Sequence, residues 1–315
     1  MNQPELWNID FNQKTLNALG SFPIRPELNF QIIHSEENKD YTLQTVEYFV
    51  EKNEKVKSYL LIPKKLKKKN PAILAIHQHR AERHIGKSEV VGKAGDPMYS
   101  YGLELCLRGY VVLAPDLLCF EERRHPKYLE NREAHRAYER FEFCKYILSG
   151  NCLQTKYLHD LSVAIDVLEN LTFVDKNKIG VIGHSLGGQE ATWLMWYDNR
   201  IAAGVSSCGI GEMSSIINEA MLHNFAAYVP NFLHIGDMSD IVCNIAPRPF
   251  FITAGLQDGH HFPVDGVRVI ITKAKDTYAK LGKSENFQSI LFDDGHTFSD
   301  SVKKEVYARL DKQLA

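Results

Sequence analysis

A serine flanked by glycines separates a short β-branched run from a helix-forming run, in the segment Gly183-His184-Ser185-Leu186-Gly187. A serine at the tip of a sharp turn between a strand and a helix exposes its oxygen, and crowding there permits only small residues two positions to either side. Gly183 and Gly187 meet that requirement. The bare spacing is moderately specific, and its setting between a strand and a helix strengthens it. Ser185 is therefore the candidate nucleophile.

A serine nucleophile needs a general base, and thirteen histidines are available. With this turn in an α/β sheet the catalytic residues follow the chain order serine, acid, histidine. The histidines after Ser185 are His223, His234, His260, His261 and His296. His296 lies between the last predicted strand and the C-terminal helix, in a loop that projects from the carboxyl edge of the sheet beside the serine. We therefore predict that His296 is the base.

The acid must hold the imidazole in the tautomer that leaves its other nitrogen free for the serine proton. Asp258 follows the predicted strand 249–254 and projects from the same edge of the sheet. Asp265 is the competing candidate, but it is placed to cap a helix expected to begin near Val267. These placements favour Asp258 over Asp265.

An oxyanion hole needs two backbone N–H groups directed at one point. One is the N–H of Leu186, because it follows the nucleophile at a helix N-terminus. The other is expected in the loop after the strand that ends at His77, from Gln78 or His79. The same loop suggests zinc, because His77 and His79 alternate and His84 follows. No carboxylate or cysteine completes a recognisable ligand spacing, so no metal site is predicted.

Composition restricts the class of partner. The chain has 315 residues, of which 44% are hydrophobic, with a formal charge of -2 and a pI near 6.7. No long-range field would attract nucleic acid or an anionic membrane, so we expect a small, neutral or weakly charged substrate. The first residues lack a signal-peptide pattern, and no apolar run approaches a membrane span. Six scattered cysteines without a CxxC pair suit a reducing compartment, so we expect a cytoplasmic protein.

These side chains require a sheet to bring them together. Near-continuous apolar runs that alternate with helical stretches predict parallel strands covered on both faces, over 72–77, 110–116, 179–183, 202–208, 249–254 and 288–292. The expected helices cover 6–19, 96–107, 153–171, 185–197, 267–281 and 301–314. Two alternating segments, 41–50 and 55–62, predict an antiparallel hairpin. We expect a single α/β domain over 1–315, with an N-terminal extension over 1–45.

Two segments, 121–151 and 211–241, are longer than a crossover connection requires. Insertions after the carboxyl ends of strands overhang the ligand crevice, so both are expected to wall the substrate pocket. Alternatively, their apolar helical faces pack on the sheet. Those predicted faces consist of Ala134, Ala137, Tyr138, Phe141 and Leu148 in the first segment and Met213, Ile216, Ile217, Ala220 and Met221 in the second.

From about Val46 onward the chain resembles the α/β-hydrolase superfamily, in its dienelactone hydrolase and acetyl xylan esterase-like branch. The resemblance lies in the segments 110–116, 120–123, 183–188, 255–258 and 295–296. It implies that Ser185 is the nucleophile, Asp258 the acid and His296 the base. Many lipases and esterases of this fold have a His-Gly-Gly loop where this chain has the residues 77–80. A serine in place of a cysteine nucleophile separates it from dienelactone hydrolases proper and favours ordinary esters.

The predicted reaction is two-step acyl transfer that needs no metal or organic cofactor. The insertions and a polar loop that contains Arg80, Glu82, Arg83 and His84 suggest a restricted, partly polar site. The resemblance favours short acyl esters, such as acetyl groups on a sugar or another small polar molecule. One alternative is a serine peptidase or acylaminoacyl peptidase, although the region before Val46 is too short for a gating domain. Another is a binding protein that keeps the fold without chemistry, although each catalytic position has a candidate. The sequence does not predict the oligomeric state.

Overall fold

Nine strands form one mixed sheet in the computed structural model, which describes residues 9–79, 83–128 and 134–315. The strand order across the sheet is β1-β2-β3-β5-β4-β6-β7-β8-β9. The strands are β1 (Gln31–Glu37), β2 (Tyr41–Glu51), β3 (Glu54–Pro63), β4 (Asn70–Ile76), β5 (Val111–Pro115), β6 (Val174–His184), β7 (Ala203–Ser207), β8 (Phe250–Gly255) and β9 (Phe287–Phe292).

The sheet is antiparallel at its N-terminal edge and parallel elsewhere. Strands β1, β2 and β3 pair antiparallel in succession, and β3 pairs antiparallel with β5. All pairs from β5 through β9 are parallel. The predicted hairpin and the predicted parallel strands are therefore confirmed. Strand β1 was not predicted because its side chains are almost all exposed, so they show no apolar alternation.

Eleven α-helices occur in the described part of the chain. They are α1 (Ile9–Leu19), α2 (Lys87–Val90), α3 (Tyr101–Leu107), α4 (Ala134–Leu148), α5 (Leu153–Asn170), α6 (Leu186–Tyr197), α7 (Met213–Asn218), α8 (Phe232–Ile235), α9 (Met238–Cys243), α10 (Val264–Lys280) and α11 (Asp300–Leu314). None of these described helices combines the length and the apolar character needed to cross a bilayer. Residues 6–8 of the predicted first helix lie outside the described residues.

The predicted helices correspond to α1, α3, α5, α6, α10 and α11, with one difference. The helix predicted over 96–107 is divided, because Pro97–Tyr99 forms a separate 3-10 turn before α3. The carboxylate of Asp96 caps that turn by accepting a hydrogen bond from the N–H of Met98 at 3.0 Å. Proline at the first position also favours a new helical start there.

Helices cover both faces of the sheet, each over its own apolar core. One core contains Leu158 of α5, Trp193 of α6 and Ile270 of α10, all fully or almost fully buried. The opposite core contains Leu105 of α3 and Leu310 of α11. This three-layer packing leaves the carboxyl ends of the parallel strands as the edge where loops converge. All six cysteines lie in the described residues and are free thiols.

The apolar faces predicted in the two long segments were partly wrong. In α4, Tyr138 is buried but Phe141 and Leu148 are exposed, and the side chain of Ala134 lies outside the described residues. That helix therefore turns only part of the predicted face inward.

The second predicted face is correct for Met213 and Ile216, which are buried, but wrong for Ile217 and Ala220, which are exposed, because the helix is short. Helix α7 ends at Asn218, and Ala220 takes a φ of +52°. The N–H groups of Met221 and Ala220 donate to the carbonyls of Ile216 and Ile217, respectively, both at 3.0 Å. This pairing is a Schellman motif, which usually employs glycine at the left-handed position. Alanine gives no such signal in the sequence.

Candidate active site

Ser185 occupies the sharp turn between β6 and α6. Its backbone has φ +55° and ψ -121°, a conformation that residues other than glycine rarely adopt. The backbone N–H of Ser185 donates to the carbonyl of Ser207 in β7 at 2.8 Å, which fixes the turn against the neighbouring strand. The turn brings Ser185 to the lining of a cleft at the carboxyl edge of the sheet.

The glycines on either side of the serine have no room for a side chain. A Cβ atom on Gly183 would lie 2.1 Å from the carbonyl carbon of Gly187. A Cβ atom on Gly187 would lie 2.0 Å from the carbonyl oxygen of Ile76, at the end of β4. These distances confirm the predicted steric requirement. They also show that the serine turn packs directly against the loop after β4.

His296 and Asp258 meet in the adjacent loops after β9 and β8. The Nδ1 atom of His296 donates to Oδ2 of Asp258 at 2.6 Å, and the hydroxyl of Tyr99 donates to the carbonyl of His296 at 3.1 Å. Burial would raise the pKa of Asp258, but hydrogen bonds from His261 and His296 outweigh it and hold that pKa below its ordinary value. Asp258 is therefore a carboxylate at neutral pH. Its contact with Nδ1 leaves Nε2 of His296 for other partners.

Asp265 lies elsewhere. It belongs to the first turn of α10, and the residue that caps this helix is Pro263, so the expected capping role of Asp265 was wrong. Asp265 lines a separate depression with Ser215 and Asn218. Of the two candidate acids, Asp258 is the one that contacts His296.

The residues predicted to supply oxyanion donors lie on the same cleft as the serine. Leu186 begins α6, and an N–H in the first turn of a helix has no acceptor within that helix. Gln78 and His79 line the cleft from the loop after β4. The side-chain amide of Gln78 donates to Oε2 of Glu89 at 2.8 Å, which anchors that loop. The side chain of Gln78 is thus bound to Glu89, so the candidate oxyanion donor of Gln78 is its backbone N–H.

His77 holds two loops together. Its Nδ1 contacts the carbonyl of Gln78 at 2.9 Å, and its Nε2 accepts from the N–H of Leu117 at 3.1 Å. Complete burial lowers the pKa of His77 to about 4, so the ring is neutral at physiological pH. Because both ring nitrogens of His77 form hydrogen bonds within the fold, neither is available for the zinc that its spacing suggests.

Another group of possible metal ligands already surrounds a cation. Asp116, Glu121 and Glu122 have carboxylate oxygens within 4.8 Å of one another. The buried ammonium of Lys87 lies 2.6 Å from Asp116 and 2.5 Å from Glu121, and it also contacts Glu122. The side chain of Lys87 therefore places one positive charge among these carboxylates.

Glu139 of α4 joins three parts of the cleft wall. One of its oxygens accepts from Arg83 and lies 3.0 Å from Nε2 of His79, and the other accepts from the N–H of Phe225 at 3.3 Å. Burial would raise the pKa of Glu139, but electrostatic and hydrogen-bond interactions with His79 and Arg83 lower it to about 2. The sequence does not single out Glu139, because one glutamate in a charged helix has no distinctive spacing.

The cleft has a volume of about 820 Å³ and a mixed polar and apolar lining. Both long segments contribute, 121–151 through Ala137, Glu139 and Arg140, and 211–241 through residues 222–225 and 228. Arg83 of the predicted polar loop lines the cleft, whereas Arg80 and Glu82 lie outside the described residues. The remaining lining residues are Gln78, His79, Asp96, Tyr99, Ser185, Leu186, His260, His261 and His296.

Residues 4–270, most of the chain, match the Abhydrolase family. This chain belongs to the Abhydrolase family. A protein of Bacillus subtilis (strain 168) named "Putative hydrolase YtaP" is 29% identical over 306 residues, which cover 96% of this chain and 98% of that protein.

Solved structures show the same fold. A structure from Bacteroides fragilis described as a "putative acetyl xylan esterase" superimposes with a TM-score of 0.75 at 18% identity, over 95% of this chain and 80% of that one. A glucuronoyl esterase from Solibacter usitatus superimposes with a TM-score of 0.72 at 17% identity, over 100% of this chain and 94% of that one. In family and fold, this Abhydrolase member is an α/β hydrolase.

Proposed function

We propose that this α/β hydrolase is a serine esterase that cleaves carboxylic esters through an acyl-enzyme. The hydroxyl oxygen of Ser185 attacks the ester carbonyl while Nε2 of His296 takes its proton. Asp258 holds the imidazole through Nδ1 and stabilises the imidazolium. His296 then returns the proton to the leaving alcohol, and a water molecule releases the acid by the reverse sequence.

The observation that carries this proposal is the 2.6 Å contact between His296 and the buried carboxylate of Asp258, on the cleft that Ser185 lines. Its geometry selects the tautomer that a base needs, because a carboxylate on Nδ1 leaves Nε2 unprotonated. The backbone N–H of Leu186 is the first oxyanion donor in this proposal, and that of Gln78 or His79 the second.

The proposed substrates are short acyl esters, such as acetyl esters of a sugar-like molecule. The name of one structural neighbour, an acetyl xylan esterase, favours this class, and the name of the other, a glucuronoyl esterase, supports an esterase that acts on a sugar-like molecule. The cleft volume of about 820 Å³ exceeds what an acetyl group needs, so it has room for a sugar-sized alcohol portion. Polar lining groups, among them Asp96, Arg140 and His260, can hydrogen-bond sugar hydroxyls.

Hydrolysis of p-nitrophenyl esters of increasing acyl length tests the proposal. Wild type should be most active on the acetate, and Ser185→Ala should reduce kcat by at least about 10⁴-fold, because the other groups cannot replace the nucleophile. Ser301→Ala, at an exposed position of α11, is the matched control and should behave as wild type. Equal turnover by wild type and Ser185→Ala would contradict the serine mechanism. No turnover by wild type on any ester would favour a binding protein with this fold.

A further inference from the structure

Asp258 binds two imidazoles, one on each carboxylate oxygen. His296 contacts Oδ2 at 2.6 Å, and His261 contacts Oδ1 through its own Nδ1 at 2.9 Å. The two rings stack, with 4.0 Å between centroids and 19° between planes. His261 is held by the turn itself, since its backbone N–H donates to the carbonyl of Asp258 at 3.0 Å. The acid–base pair of the proposed mechanism is thus a cluster of two histidines around one carboxylate.

We propose that His261 is a positioning residue that orients Asp258 and, through its own protonation, sets the lower pH limit at which His296 works. This inference rests on the proposed esterase function. His261 lines the cleft and is half-exposed, so protons from solvent reach it.

The orienting role follows from the bonding of the carboxylate. A carboxylate held at one oxygen can rotate, whereas one held at both oxygens is fixed in plane and direction. Asp258 is 4% exposed, so the loss of the donor at Oδ1 leaves a buried acceptor without its partner. The expected result is a less well aligned His296 and slower proton transfer.

The groups around His261 favour its protonation over that of the neighbouring buried imidazoles. Its hydrogen bond to Asp258 raises the pKa of His261 above the ordinary value. The other imidazoles facing the pair are His184 and His223, and burial lowers the pKa of each, to about 4 for His223. Both remain neutral near pH 6 to 7. His260 also lines the cleft, and the carboxylate that contacts His261 is that of Asp258.

A proton on His261 opposes catalysis at His296. It places a cation 4.0 Å from the ring of His296, which must itself become an imidazolium during the reaction. It also partly neutralises the negative charge of Asp258, which stabilises that imidazolium. The first proton taken up by the pair therefore inactivates the site whichever ring receives it. For two equal, linked sites this statistical effect raises the midpoint of the acid limb by about 0.3 pH unit, and a stronger affinity of His261 for protons raises it further.

Two variants separate orientation from titration. Asparagine at position 261 keeps a donor near the place of Nδ1 but cannot take a proton, whereas leucine removes the donor. His261→Asn should retain kcat at pH 8 within about threefold and move the acid limb of kcat/KM down by at least about 0.3 pH unit. His261→Leu should lower kcat about tenfold at pH 8 with little change in KM, as expected for a lost hydrogen bond to a carboxylate. His234→Asn, an exposed histidine of α8, is the control.

Nitrogen-15 NMR titration of the imidazoles measures the same linkage without turnover. In wild type His261 and His296 should titrate together in two steps, and in His261→Asn His296 should titrate in one step. The inference is overturned if the acid limb of kcat/KM is the same in His261→Asn as in wild type. It is also overturned if His296 titrates in one step in both proteins. Unchanged kcat in His261→Leu overturns the orienting role. If wild type hydrolyses no ester, the proposed function fails, and the NMR titration still decides whether the two histidines are coupled.

Discussion

At the scale of single residues, the candidate site depends on one strained residue and one carboxylate. Ser185 has a φ of +55°, in a turn whose flanking Gly183 and Gly187 have no room for a side chain. Asp258 is buried and accepts hydrogen bonds from two imidazoles. The sequence predicted Ser185, Asp258 and His296 from the glycine spacing and the chain order. It did not predict the contact of His261 with Asp258, although the three-residue spacing after Asp258 was available as a signal.

The prediction at this scale concerns Asp258. Asp258→Asn should lower kcat about 10³- to 10⁴-fold with a small change in KM, because an amide on Nδ1 favours the wrong tautomer of His296. Asp265→Asn is the matched control and should retain wild-type kinetics, since Asp265 lines a separate depression. Steady-state kinetics on p-nitrophenyl acetate measures both. A larger loss in Asp265→Asn than in Asp258→Asn would reverse the assignment of the acid.

At the scale of elements, the cleft wall is assembled by charge. Glu139 joins α4 to Arg83 and His79 in the loop after β4 and to the N–H of Phe225 in the second long segment. Apolar periodicity predicted the strands and most helices, because those elements bury regular faces. It failed for the exposed strand β1 and beyond the end of α7, where the chain turns at Ala220. Contacts between segments far apart in sequence leave no periodic signal.

The Glu139→Gln variant tests the role of charge in this wall. The variant should raise KM and lower the free energy of unfolding by about 3–5 kcal/mol near pH 7, because it leaves the buried Arg83 without its counter-charge. The pKa of Glu139 falls from 4.5 to about 2 on folding. Its carboxylate therefore stabilises the fold above about pH 4.5, and this contribution disappears as the pH falls toward 2.

Urea unfolding at several pH values measures this effect. Glu142→Gln, also buried in α4 but paired with the exposed Lys145, is the control and should leave KM unchanged. A pH-independent difference between Glu139→Gln and wild type from pH 7 down to pH 2 would contradict the charge-based account of the wall.

At the scale of the whole molecule, the sheet presents its carboxyl edge to one cleft, and a buried ion cluster secures the neighbouring loops. The ammonium of Lys87 contacts Asp116 after β5 and Glu121 and Glu122 at the start of the first long segment. Burial would lower the pKa of Lys87, but Asp116 and Glu121 outweigh it and hold it above its ordinary value. The cluster connects α2 to the loop that leads toward α4.

The corresponding prediction is a loss of global stability in Lys87→Met. Removal of the ammonium leaves carboxylates buried without compensation, which should cost about 3–5 kcal/mol in the free energy of unfolding. Lys93→Met is the matched control. Its partly exposed pair with Glu36 should contribute less than about 1 kcal/mol. Urea denaturation of both variants measures the difference, and equal losses would show that the buried cluster has no special role.

Covalent labelling with a fluorophosphonate, followed by mass spectrometry of the digested protein, tests the central claim most directly. A serine activated by His296 and Asp258 should react, so we expect one adduct per chain on the peptide that contains Ser185. The adduct should be absent in Ser185→Ala and should form much more slowly in Asp258→Asn. An unlabelled wild-type protein, or an adduct on another residue that persists in Ser185→Ala, would contradict the account.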